Sequence, residues 1–277
     1  MDAAIASTHR FGKKTNPVRV MMLPTIVLLA TTLLGGLAFV ALGKRGMDDL
    51  PLVLSFGGSF IIGMCFLHLV PEAFAATEHA GLFVIGGFLI QGVLEWMSQG
   101  IEHGHHHSHH HSEECHGPFR WGKLPWLALI SLGFHSALES MPVVECHVHH
   151  DHHHGMFELQ HLDLALLSGL VLHKFPVSMV LMAMMIDEHV PRRIAWMLLV
   201  CFGLTPLVGM GLNELLVHDL SPDQVEVLVP GLQGLVVGIL LHIGTTVLFE
   251  AGEGHAFHRG KFVATCLGLA ISVMAFA

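Results

Sequence analysis

The chain has 277 residues, 52% of them hydrophobic and only 13% charged, with a mean hydropathy of +0.62 and a formal net charge of −9. A soluble domain carries about a quarter charged residues, so the composition argues against a water-soluble fold. The acidic balance and the lack of a basic aromatic platform argue against a nucleic-acid partner, and no GxxxxGK[ST] loop is present to couple ATP directly.

Apolar runs long enough to cross roughly 30 Å of hydrocarbon read as membrane helices, because an isolated segment can satisfy its backbone there only as a helix. In chain order they fall at Val20–Leu42, Leu52–Ala75, Leu82–Met97, Leu124–Val144, Leu162–Ile186, Ile194–Leu216, Val227–Leu248 and Phe262–Ala277. The expected fold is therefore all-α: a basic tail over 1–19, then one polytopic domain over 20–277 with eight transmembrane helices. Seven is the alternative count, since the third run is short before Glu102 and the eighth ends with the chain.

Charge placement supports eight. Cytoplasmic loops are enriched in Lys and Arg. Lys44 and Arg45 follow span one, Arg120 and Lys123 precede span four, Arg192 and Arg193 separate spans five and six, and Arg259 and Lys261 separate seven and eight. The intervening loops have none, which puts the odd-numbered connections in the cytosol and both termini outside or in a lumen. Arg10, Lys13, Lys14 and Arg19 break the pattern; they read either as part of a targeting presequence or as a tail carried along by the downstream signals. Five cysteines without a CxxC motif suggest no structural disulfide.

Histidine dominates two loops. Of 25 histidines, 15 lie between spans three and four (98–123, cytosolic) or four and five (145–161, extracytosolic). The first loop holds His105, His106, His107, His109, His110 and His111; the second holds His149, His150, His152, His153 and His154. Such tracts are metal-binding in composition, and neutral imidazole suits zinc, copper, nickel or iron. A tag or a pH-responsive loop is the bland alternative.

Ionisable residues inside spans are costly and by default mark a transport pathway. In span four, His135 and Glu139 are one helical turn apart and can share a cation. Span five carries His173-Lys174-Phe175-Pro176-Val177, and Pro176 is expected to kink the helix beside His173. Two helices can thus assemble a site from His135, Glu139 and His173. The competing reading is a structural Lys174–Glu139 bridge, since a protonated lysine in hydrocarbon needs a counter-charge. At the end of span two, His68 and Glu72 are pathway candidates, as are His242 and Glu250 of span seven, with interfacial roles as the alternative. No HExxH or GxSxG motif indicates an enzyme, and no catalytic residue is assigned.

Three stretches together resemble the ZIP (Zrt/Irt-like) family of zinc and iron transporters. His135-Ser136-x-x-Glu139 is similar to its span-four motif, His173-Lys174 to the span-five His-Lys of one subfamily, and His68-Leu-Val-Pro71-Glu72-Ala73 to its span-two ending. The resemblance covers most of the chain. It implies an eight-helix fold, zinc uptake into the cytosol without ATP, and often a homodimer in the lipid bilayer. It also implies a single metal site of His135, Glu139 and His173 assisted by Ser136. Val177 stands where two-metal members carry a carboxylate, Lys174 replaces a second-site ligand, and Ser140 replaces the family glycine. The second His-rich loop is not a general family feature.

The expected activity is divalent-metal import by alternating access, zinc first, with iron, manganese or cadmium as alternative cargo and no catalytic cofactor. The plasma membrane is the expected location, an organelle membrane the alternative. An efflux carrier, a membrane metal sensor or buffer, and a membrane zinc hydrolase remain open readings.

Overall fold

The computed structural model describes residues 17–43, 49–98, 126–144, 162–218, 220–250 and 259–277. Among them the backbone is helical, with one isolated antiparallel bridge between Val144 and Leu162. The helices are α1 (Pro17–Leu42), α2 (Leu50–Ala76), α3 (Ala80–Ser98), α4 (Trp126–Ser140), α5 (Leu164–Asp187), α6 (Arg192–His218), α7 (Pro222–Glu250) and α8 (Arg259–Phe276). Each overlaps an expected span, with ends shifted by a few residues.

Seven of these helices, all but α4, are long and apolar enough to cross a membrane. That build is compatible with a membrane protein. Helix α4 has 15 residues, about 22 Å of rise, and closes in a single 3₁₀ turn at Met141–Val143. The exterior is apolar, with Leu82, Trp96, Val208, Leu215 and Met274 exposed, while Ser59, Gln91, Ser136 and Lys174 are buried. Apolar outside and polar inside is the distribution that a lipid surround favours.

Proline shapes two helices differently. In α2 an α-helical segment, Leu50–Met64, passes through a π turn at Cys65–Leu69 before Val70–Ala76. The Val70 N–H bonds the Cys65 carbonyl, so the register shifts one residue ahead of Pro71, which has no N–H to offer. Helix α5 carries Pro176 inside a single run of α-helix from Leu164 to Asp187, so the proline does not end the helix. Its first turn is capped by Asp163, whose Oδ1 accepts from the Leu166 N–H at 2.8 Å.

The helices pack as two groups of four. Helices α2, α3, α7 and α8 associate through the pairs α3–α7, α2–α8 and α2–α7; α1, α4, α5 and α6 associate through α1–α5, α1–α6 and α4–α6. Exchanging α1 with α6, α2 with α7, α3 with α8 and α4 with α5 leaves these main pairs unchanged. The pairing pattern is thus pseudo-symmetric, with α4 and α5 at its centre. The α3–α7 seam is close because glycine lines both sides. A Cβ at Gly87 would collide with the Leu235 carbonyl, and one at Gly238 with the Val84 carbonyl.

Candidate metal centre

Helix α4 buries one stripe: Ala128, Ser131, Leu132, His135, Ser136, Glu139 and Ser140. The i, i+3, i+4 spacing of these residues is the inner face of a helix, and it carries the polar groups inward. On α5, His173 and Lys174 are buried among Leu170, Val177 and Ser178.

The two faces converge. One ligand atom from each of His135, Glu139 and His173 lies within 4.8 Å of the others, and all three residues are buried. His135 Nε2 is 3.1 Å from Glu139 Oε2. The imidazole rings of His135 and His173 are 5.8 Å apart and nearly perpendicular, at 83°. Glu139 Oε2 is buried and makes no hydrogen bond. Two imidazoles and a carboxylate form a donor set that zinc and neighbouring divalent metals accept, with room in the coordination sphere for a further ligand.

Lys174 sits on the other side of the same carboxylate. Its Nζ is 3.6 Å from Glu139 Oε1 and 4.7 Å from the centre of the Phe202 ring. It also donates a hydrogen bond to Ser136 Oγ, and the Ser136 and Thr205 hydroxyls lie 2.7 Å apart. The ion pair and the three-ligand cluster therefore coexist, each using a different oxygen of Glu139. Ser136, expected to assist the metal, has its hydroxyl engaged by Lys174 and Thr205. Val177 is buried in the core, and Pro176 lines a narrow gap of about 10 Å³ beside His173, Leu172 and Gly57.

The remaining candidates are placed elsewhere. His68 and Glu72 are 3.8 Å apart and roughly half exposed. They line an open cavity of about 550 Å³ together with Asp163 and Phe276, and the His68 ring stacks on Phe276. Burial pushes the Asp163 carboxyl above its ordinary value, against the hydrogen bond from Leu166 and the field of His68. His242 belongs to neither cluster; its Nε2 is 2.6 Å from Glu95 Oε2 of α3. The Glu250 side chain and the histidines of both loops lie outside the described residues.

Three participants escaped the sequence reading: Gln91, Glu95 and Thr205. Gln91 Oε1 is 2.8 Å from His135 Nδ1, and Ser131 Oγ donates to the Leu94 carbonyl at 2.7 Å on the same α3–α4 seam. Gln91 and Glu95 are themselves one turn apart in an otherwise apolar span, a pattern visible in the sequence. Thr205 gave no signal. A comparison with protein-family models found no match, and neither did one with the curated proteins.

Proposed function

We propose that this chain is a divalent-metal carrier of the ZIP type, moving zinc into the cytosol through a single site of His135, Glu139 and His173. The observation that carries the reading is the convergence of these three buried side chains, from two helices, within 4.8 Å. A mid-helix ionisable cluster in an apolar chain is expensive to maintain, and moving a cation is the usual return on it. The pseudo-symmetric pairing of the helices adds support: with eight crossings, equivalent helices are an odd number of crossings apart, which makes an inverted repeat, and carriers of that build hold cargo between their repeats.

The chemistry follows from the donors. Neutral imidazole nitrogens and one carboxylate oxygen strip a zinc ion of most of its water and replace it with ligands of matching hardness. Lys174 balances the charge of Glu139, so the empty site is neutral and a bound divalent ion leaves a net positive centre. That excess charge in a low-dielectric interior limits how long the ion stays, which suits a carrier more than a structural site. With Lys174 on Oε1, the same carboxylate cannot bridge a second metal. Protonation of either imidazole expels the ion, because a ligating His must be neutral.

Eight membrane crossings, with α4 as the fourth, belong to this proposal, as do the inward direction, the plasma membrane and a dimeric assembly, all of which rest on the resemblance. The test is zinc-65 uptake into cells expressing wild type, His135→Ala and His173→Ala, with surface expression measured in parallel. Inward flux lost in both variants is the expected result. Equal zinc content in all three lines would refute transport and leave a sensor, buffer or hydrolase, and zinc lowered only by wild type would reverse the direction.

A further inference from the structure

We infer that Gln91 is a positioning residue that sets the tautomer of His135 and so presents its Nε2 lone pair to the metal; the inference rests on the proposed site. A carboxamide oxygen can only accept a hydrogen bond. With Gln91 Oε1 2.8 Å from His135 Nδ1, the ring proton sits on Nδ1. Nε2 is then the unprotonated nitrogen, and it is the one 3.1 Å from Glu139 Oε2, on the side where His173 converges. The other tautomer would set an unprotonated Nδ1 against the Gln91 oxygen and turn an N–H toward the cluster, where Glu139 Oε2 accepts no hydrogen bond in this geometry.

Burial makes the choice consequential. Gln91 is fully buried and His135 nearly so, so no bulk water substitutes for the amide. Gln91 also comes from the other helix group. It reaches from α3, which packs on α7, to α4, which packs on α6. The ligands therefore sit in one group and the group that orients the first of them in the other. Ser131 provides an internal control, because its bond to the Leu94 carbonyl crosses the same seam without touching the ring.

Removing an outer partner of a ligating histidine typically costs roughly 10–100-fold in metal affinity. The experiment uses the full-length chain in detergent, with the histidines of the 98–123 and 145–161 loops replaced by serine to silence capture there. Cobalt(II) is titrated as the spectroscopic probe into this background and into Gln91→Met, Gln91→Glu, Ser131→Ala and His135→Ala. Gln91→Met keeps the length and removes the acceptor; its affinity should fall roughly 10–100-fold. Gln91→Glu keeps an acceptor and should stay within about threefold of the background, as should Ser131→Ala. Equal weakening by Gln91→Met and Gln91→Glu, or none by Gln91→Met, overturns the inference. Failure of the parent site reads differently: the background then binds cobalt no better than His135→Ala. Nitrogen-15 NMR of the metal-free background, with His135 assigned by difference, supplies an independent readout. A proton on Nδ1 is expected, and a proton on Nε2 overturns the assignment.

Discussion

Glu139 and Lys174 lie 3.6 Å apart through Oε1, yet the carboxylate is not consumed by that contact, because Oε2 turns to His135 at 3.1 Å. One acidic side chain thus serves both an internal cation and the candidate metal cluster. Breaking a buried pair by removing one partner is commonly worth 3–5 kcal/mol. Lys174→Met should therefore lower the thermal midpoint without metal, and zinc should restore more of it than in wild type, since the ion replaces the missing positive charge. Thermal unfolding in detergent with and without zinc measures this; an equal zinc response in both proteins would count against it.

Glu139→Gln removes the negative charge that Lys174 and the proposed metal site share. Lys174 is then buried without a counter-ion and the cluster without its carboxylate. The expected result is loss of zinc flux together with a stability loss of about 3–5 kcal/mol, read by uptake and by thermal unfolding of the same preparation.

Proton competition should appear in transport. Only the neutral imidazole binds metal, and histidine ordinarily titrates near pH 6.5. Zinc uptake should decline as external pH is lowered from about 7.5 to 5.5, and a flat profile would argue against histidine ligands.

The cap of α5 carries a second pH signature. Burial raises the Asp163 carboxyl, so the folded protein holds this proton more tightly than the unfolded chain does. Its contribution to stability is largest at low pH and is lost as pH rises from the ordinary carboxylate range through the raised value. Asp163→Asn retains an N-cap oxygen and should flatten that part of the stability–pH curve. Asp163→Ala should in addition cost about 1 kcal/mol, seen in unfolding midpoints across acidic pH.

Close helix contact makes opposite predictions for two glycines of α3. A side chain at Gly87 meets the Leu235 backbone, whereas Gly86 faces open space. Gly87→Val should force α3 away from α7, at a cost of 1–3 kcal/mol or more. Gly86→Ala should be neutral or stabilising by up to about 1 kcal/mol, because alanine is the better helix former. Thermal midpoints of the two variants separate the cases.

Much of this protein is legible along the chain. The apolar runs located the eight helices of the described residues, seven of them long and apolar enough to cross a membrane, because length, hydropathy and satisfying the backbone within one segment are local demands. The i,i+4 pair His135 and Glu139 was legible for the same reason, since one turn of helix brings them together whatever surrounds them. Lys174 announced its need for a partner, and depth in the span pointed to Glu139. Other expectations met tertiary structure. His242 offered itself as a pathway residue without revealing Glu95 as its partner.

What only the tertiary structure decided is which faces meet. The convergence of His173 with His135 and Glu139, the division of Glu139 between a cluster and an ion pair, and the reach of Gln91 and Thr205 all depend on contacts between helices far apart in sequence. Helical periodicity places a residue on a face but leaves that face's partner open. Interdigitation of side chains, and glycines such as Gly87 and Gly238 that let two backbones touch, make that choice.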